Sequence, residues 1–213
     1  MTVADTCVHP YPAGDSSLRR MTFEARELGF DTIVVPDGTP LISSGVRVIP
    51  AALIAEESVR AVSGQIKKRE NGLSLVMVNA GENGFNRAVL SLKGVHVLRN
   101  LHLTRKQSFN HICARLAADR GVAVDLDLYP VIHATGRTRQ RVLVRFGELI
   151  RIYSRYRFPL TLSSNARSVL DLRSVEEITL LCSLFGMEED DVQAALSTVG
   201  DLLNPPGPVR VVA

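Results

Sequence analysis

Four short patterns in this 213-residue chain carry side chains able to do chemistry. Asp125 and Asp127 alternate within Val-Asp-Leu-Asp-Leu, so on a strand both carboxylates face one side. Such a pair could work as acid and base or hold a cation. It could equally line an interior and bond to Arg or Ser side chains of adjacent strands. Cys7 and His9, two residues apart in Asp5-Thr6-Cys7-Val8-His9, could share a strand face and a metal ion, although a histidine so placed could also be satisfied in a core or turn. Arg137, Arg141 and Arg145 recur at i, i+4, a spacing that stacks them on one helix face, and Arg151 and Arg155 repeat it. These five guanidiniums span about 25 Å at about 1.5 Å per residue and could follow a phosphate backbone, since the planar fork takes phosphate oxygens in two places. Ser163-Ser164-Asn165 offers neutral donors for phosphate or 2′-hydroxyl groups, or else caps a turn.

Charge is segregated along the chain. Residues 83–170 hold fifteen Lys/Arg against Asp119, Asp125, Asp127 and Glu148, a balance of +11 within a net charge of +3. No acid lies between Glu82 and Asp119, whereas Arg87, Lys93, Arg99, Arg105, Lys106 and Arg115 do. A surface selected only for solubility interleaves both signs, so this pattern predicts a polyanion-binding face; the alternative is a solvated face whose acids come from elsewhere in the fold. Aromatic content of 5% with no Trp argues against reading single-stranded bases by stacking. Three widely spaced cysteines fit a reducing compartment rather than a disulfide framework. Neither a signal peptide nor a membrane span is expected, which predicts a soluble cytoplasmic protein. The acidic run Glu188–Asp191 suits the start of a helix, where negative charge complements the helix dipole.

Strand-like and helix-like segments alternate along the chain. Strands are expected at Val3–His9, Thr32–Val35, from Val46, at Leu73–Val78, Val95–Leu98, Val122–Leu128 and Leu160–Ser163, and in the tail at Val209–Val212. Helices are expected from Ser16/Ser17 to Leu28, at Ser58–Asn71 with Gly72 as stop, at Phe85–Leu92, at Ser108–Arg120 capped by Ser108 and closed by Gly121, at Arg139–Arg157, at Ser174–Phe185 and at Glu188–Val199. Seven or eight strands with intervening helices predict an α/β fold, a single-domain TIM-like (β/α) barrel over 1–213 with trimmed helices and a tail at 205–213. On it Arg99, His102, Arg105 and Lys106 follow a strand at the C-terminal mouth, where barrel loops carry function, and Arg167 shares that rim.

Several segments resemble the p30-type protein subunit family of archaeal and eukaryotic ribonuclease P. They are Cys7-Val8-His9-Pro10-Tyr11-Pro12 with Ser16-Ser17-Leu18, and Phe85-Asn86-Arg87-Ala88-Val89-Leu90 with Val95-His96-Val97-Leu98, where His96 replaces a usual Asp. Phe109-Asn110-His111 through Arg115-Leu116-Ala117, and Ser163-Ser164-Asn165-Ala166 with Leu172-Arg173-Ser174, continue the likeness in the family's order. The resemblance implies a barrel similar to polymerase-and-histidinol-phosphatase (PHP) metal hydrolases. It also implies a non-catalytic role: the RNA subunit cuts precursor tRNA at the mature 5′ end, while the p30-type subunit pairs with a small ferredoxin-like subunit and stabilises the catalytic RNA. Contact with precursor tRNA is then indirect, and no cofactor or metal is expected. The expected RNA-binding residues are Arg87, Arg99, His102, Arg105, Lys106, Arg137, Arg139, Arg141, Arg145, Ser163, Ser164 and Arg167.

Two other readings compete. A PHP-type metal-dependent phosphoesterase would open with Asp-x-His-x-His, but here Cys7 stands in the first His position, and of His96, His102, His111 and His133 only one sits near an acid-rich strand end. A protein-only interaction module would bind a partner subunit and leave RNA unprotected.

Overall fold

A computed structural model describes residues 2–68 and 74–204. Seven parallel strands, β1 (Ala4–Asp5), β2 (Thr32–Pro36), β4 (Val46–Ile54), β5 (Leu75–Asn79), β6 (Val97–Arg99), β7 (Ala123–Asp127) and β8 (Leu160–Ser163), run side by side in chain order. A short β3 (Leu41–Ser43) pairs antiparallel with β4. The sheet curls until its first and last strands meet. Thr6 donates its N–H to Leu162 O at 3.0 Å, His9 to Ala166 O at 2.7 Å, and Val8 bridges Ala166 in parallel. This is the expected barrel, closed by seven strands.

The helices are α1 (Leu18–Glu27), α2 (Val59–Lys67), α3 (Asn83–Leu90), α4 (His111–Arg120), α5 (Tyr129–His133), α6 (Gly136–Tyr156), α7 (Val175–Ser183) and α8 (Glu189–Leu203). They begin where side-chain oxygens can take orphan N–H groups: Ser17 caps α1, Ser58 caps α2, and Ser174 with Glu177 forms a capping box on α7. The helix α4 starts three residues later than its sequence suggests. Asn110, not Ser108, is its cap, with Oδ1 accepting from Ile112 and Cys113, while Ser108 lies in a 3-10 turn. The segment Val3–His9 is paired as a strand only over Ala4–Asp5 and holds to both neighbours beyond that by single bonds. Two elements were not anticipated, β3 and α5. The Ser44-Gly45 turn, with φ of 52° and 81°, makes a tight hairpin of Leu41–Ser43 and Val46 onward. That hairpin stands where a regular (β/α) unit would carry a helix between β2 and β4, which is how the barrel trims its length. The expected stop at Gly72, the ends placed at Asn71 and Leu73, and the tail strand Val209–Val212 lie outside the described residues.

Alternation along the strands divides the wall into two faces. Outward residues such as Val48, Val76, Leu98, Val124 and Leu162 join the helices in the main core. Inward, one end of the barrel is plugged by Ala4, Val34, Ile49, Ala51, Leu75, Met77, Val97 and Ala123, and Val199 of α8 packs onto that plug. Towards the strands' C-terminal ends the inward residues turn polar: Arg99, Asp125, Asp127, Thr161 and Ser163, all buried. Where the segments after β1 and β8 cross, Gly14 approaches so closely that a Cβ would lie 2.1 Å from His9 O and 2.2 Å from Arg167 O. Both are backbone atoms and cannot swing aside. Gly14→Ala is therefore expected to cost at least about 1–3 kcal/mol by overpacking, read as a lowered thermal midpoint, whereas alanine at exposed Gly84, with no atom within 4 Å, should not lower it.

Candidate nucleic-acid interface

The strand register builds a row across the barrel interior. β6 pairs with β7 through Leu98 and Val124, so the next residues, Arg99 and Asp125, lie side by side, and Asp125 in turn faces Thr161 of β8. Asp125 accepts hydrogen bonds from Thr161 Oγ1 at 3.0 Å and Ser163 Oγ at 2.7 Å. Arg99, 4% exposed, donates to Asn165 Oδ1 at 2.8 Å and reaches Cys7 Sγ at 3.6 Å. His9 Nε2 lies 3.1 Å from the same Asn165 oxygen and 3.5 Å from Cys7 Sγ. Asp5 Oδ1 accepts the N–H groups of Cys7 and Ser164.

Burial dominates the acid–base behaviour of this pole. It pushes the Cys7 thiol up to about 12, Asp5 to about 7 and Asp125 to about 6, and it lowers His9 and His102. Burial also works against the Arg99 cation, but the opposing pull of Cys7, Asp125 and Asp127 raises its pKa. A neutral thiol supplies little of that pull at pH 7, so the two carboxylates do the holding. The residues that could have ligated a metal do not fit one: a guanidinium sits against Cys7 and Asn165, and the described residues contain no cluster of three or more His, Cys, Asp or Glu able to hold an ion.

The expected RNA-binding residues separate by exposure. Arg87, Arg105, Lys106, Arg137, Arg141 and Arg167 are exposed, and His102 is half-buried against Phe146. Arg99, Ser163 and Ser164 are buried in the barrel and cannot serve as surface contacts. Arg145 is also buried, at 6% exposure, and its absence from the expected row has a geometric cause. Each residue turns a helix by about 100°, so i+4 drifts about 40° and i+8 about 80°. Two steps from Arg137 therefore carry position 145 into the core, while Arg151 and Arg155 return to the face of Arg137 and Arg141. Arg139 falls on the core side as well, half-buried with its Nε enclosed and unbonded.

Arg145 acts on the rim from within. Its guanidinium donates to the carbonyls of Leu101, Arg105 and Lys106, each at 3.3 Å, and to Glu148, whose other oxygen is 2.6 Å from Lys106 Nζ. Buried Asn86 of α3 donates to Ser108 O of the same loop and also bonds Gly81 N and O in the turn before α3. The loop 101–108 is thus fixed against α3 and α6, and a cleft of about 490 Å³ opens between it and α6, lined by His102, Thr104, Arg137, Gln140, Arg141 and Val144, with Arg145 and Glu148 at its base.

Around this cleft the wall of α3, α4 and α6, which pack in succession, is strongly cationic. Of the fifteen Lys/Arg in residues 83–170, twelve are exposed, whereas Asp125 and Asp127 are turned inward and only Asp119 and Glu148 remain outside the barrel. Those two pair with Arg115, Lys106 and Arg145, and Asp191 pairs with Arg157. Arg115 and Arg120 belong to this surface but were not among the expected contacts, their exposed positions on α4 being the available signal; Arg151 and Arg155, which repeat the i, i+4 spacing of the α6 row, belong to it as well.

Residues 2–204 match the family described as RNase P subunit p30. The chain belongs to that family. Ribonuclease P protein component 3 of Methanosarcina acetivorans is 32% identical over 216 residues, covering 96% of this chain and 90% of that protein. Its counterpart in Methanothermobacter thermautotrophicus is 31% identical, covering 91% of this chain and 85% of the relative. Among solved structures, a chain of an archaeal ribonuclease P with mature tRNA superposes with a TM-score of 0.76 at 18% identity, over 93% of this chain and 89% of that one. A prolidase complexed with N-methylphosphonate-L-proline gives 0.61 at 13% identity, over 100% and 76%. At such identities these two bear on the fold alone, and both agree with a p30-family barrel.

Two outcomes follow for this p30-family chain. Arg145→Ala removes the donor shared by three loop carbonyls and leaves Glu148 to Lys106 alone, so it should cost about 3 kcal/mol, against less than about 0.5 for exposed Arg141→Ala, as read by chemical denaturation. Asp5 binds its proton more tightly folded than unfolded, so its contribution is fully present below pH 4 and is lost as pH rises towards 7. Asp5→Asn keeps the Oδ1 acceptor without the charge. The stability of the wild type relative to Asp5→Asn should therefore fall between pH 4 and pH 8.

Proposed function

We propose that this chain is a non-catalytic protein subunit of ribonuclease P that binds and stabilises the catalytic RNA during removal of the 5′ leader of precursor tRNA. The observation that carries the RNA-binding part is the sorting of charge by the fold: twelve cations outward on 83–170, with half of the same segment's carboxylates inside the barrel. A wall with that imbalance neutralises phosphates and releases their counterions on binding. Arg137, Arg141, Arg151 and Arg155 share one face of α6 over about 27 Å, and Arg105 and Lys106 extend it across the cleft. Arg87 and Arg167 are outlying contacts in this reading. The neutral donors of the cleft, Thr104 and Gln140, suit phosphate and 2′-hydroxyl groups, so recognition is of RNA shape rather than of base sequence.

Family membership supports assembly with ribonuclease P RNA and with a small ferredoxin-like subunit, with precursor tRNA contacted indirectly and the complex in the cytoplasm. No helix among the described residues is long and apolar enough to cross a membrane. A PHP-type metal phosphoesterase finds less support, because the interior donors surround a guanidinium.

The experiment is reconstitution of precursor-tRNA cleavage with and without this chain at limiting Mg²⁺, with RNA affinity measured across a salt series. The chain should increase cleavage, and its affinity should fall steeply with salt. Each alanine at Arg137, Arg141, Arg151 or Arg155 should reduce the logarithmic salt slope by about 1. A salt-insensitive affinity would count decisively against this function.

A further inference from the structure

The proposed RNA-binding role leaves the polar interior of the barrel unexplained. We infer that the Arg99 guanidinium is a built-in cation, standing where a divalent ion would have to sit to touch Cys7, His9 and Asp125 together. It holds the interior in the way a metal would, without one.

The argument is geometric. Four strand segments converge on this point: β6 supplies Arg99, β7 supplies Asp125 and Asp127, the end of β1 supplies Cys7 and His9, and the end of β8 supplies Asn165. Arg99 touches Cys7 Sγ and Asn165 Oδ1 directly, and Asn165 passes the contact to His9. Register places Arg99 beside Asp125, whose two oxygens accept from Thr161 and Ser163 and whose charge acts on the guanidinium. Any ion bonded to both the thiol and Asp125 would meet the guanidinium first.

Two paired carboxylates buried without a counter-charge would be strongly unfavourable. A metal would meet that need only while bound, whereas Arg is always protonated and cannot dissociate. Its own Nε is buried without a hydrogen-bond partner, so hydrogen bonding alone does not account for the guanidinium's place there. The consequence is functional: the barrel mouth is closed to metal-dependent phosphoester chemistry by a residue of its own wall, and the chemistry is left to another component.

The test uses the full-length chain and Co²⁺, whose thiolate complexes absorb in the near ultraviolet, together with thermal melting in EDTA or in Co²⁺. The wild type should show no thiolate–cobalt band and no change in midpoint. Arg99→Ala should melt about 10 °C lower in EDTA, gain a stoichiometric band in Co²⁺ and recover part of its midpoint. Adding Cys7→Ser to that variant should abolish the band. Arg99→Lys, which keeps the charge, should melt closer to the wild type than Arg99→Gln does.

Several results would overturn the inference: a Cys7-dependent band in the wild type, an Arg99→Ala protein as stable as the wild type, or one that is destabilised and binds no cobalt. Should Arg99→Ala fail to fold in any condition, the Lys and Gln variants decide. A folded Lys variant beside an unfolded or weaker Gln variant supports the built-in cation, and two equally damaged variants refute it. RNA affinity does not enter these measurements, so their failure is separate from that of the proposed function.

Discussion

Seven strands close into a barrel only if the first reaches the last, and here that seam depends on a few directed hydrogen bonds. β1 is two residues long, so the wall between it and β8 rests on Thr6 N–H to Leu162 O, His9 N–H to Ala166 O, and the Asp5 carboxylate taking the Ser164 N–H. Asn165 then ties Arg99 and His9 across the same gap. Because the closure uses side chains from the polar end of the interior, the seam and the buried charges stand or fall together. This is why a barrel with a well-packed apolar plug still keeps aspartates and an arginine in its upper half.

Closure also decides which charges face the solvent. The β7 aspartates face inward because their strand alternates and its other face packs on helices, so half of the acids in the basic segment leave the surface. Arg87, Arg115, Arg120, Arg137, Arg141, Arg151 and Arg155 of α3, α4 and α6 remain outside, since long side chains keep their charged ends in water while their stems lie along the helices. A segment balance of +11 in the sequence thus becomes a more one-sided surface than the formal count suggests. Arg145 and Asn86, both buried, convert the irregular 101–108 segment into a fixed rim. They are positioning residues, and the cations they position belong to their neighbours.

The sequence alone was sufficient for the family, the α/β class and a rhythm of seven or eight strands, of which seven form the barrel among the described residues. Short β-branched runs flanked by Gly, Pro and Ser leave few alternatives locally, and the likeness extends along nearly the whole chain. It was also sufficient for the segregation of charge and for the alternative in which Asp125 and Asp127 line an interior: Thr161 and Ser163 of the adjacent strand bond to Asp125, Asp127 takes the Tyr129 N–H, and Arg99 acts on both by its charge. β3 was not legible because a three-residue arm is too short to show alternation, although its partner is adjacent in sequence; the two-residue length of β1 was not, because its pairing depends on residues far away in sequence.

Which cations are usable was a tertiary matter. The sequence lists Arg99, Arg137, Arg139, Arg141 and Arg145 as equivalent, and helical phase together with the position of the core separates them: Arg137 and Arg141 to solvent, Arg139 and Arg145 against the core, Arg99 inside the barrel. Likewise Ser163 and Ser164 read as donors for a ligand until the barrel closes and turns them inward. Periodicity follows from local backbone geometry and is written in the chain. Burial of a charge depends on what lies opposite it, and that is fixed only when distant strands meet.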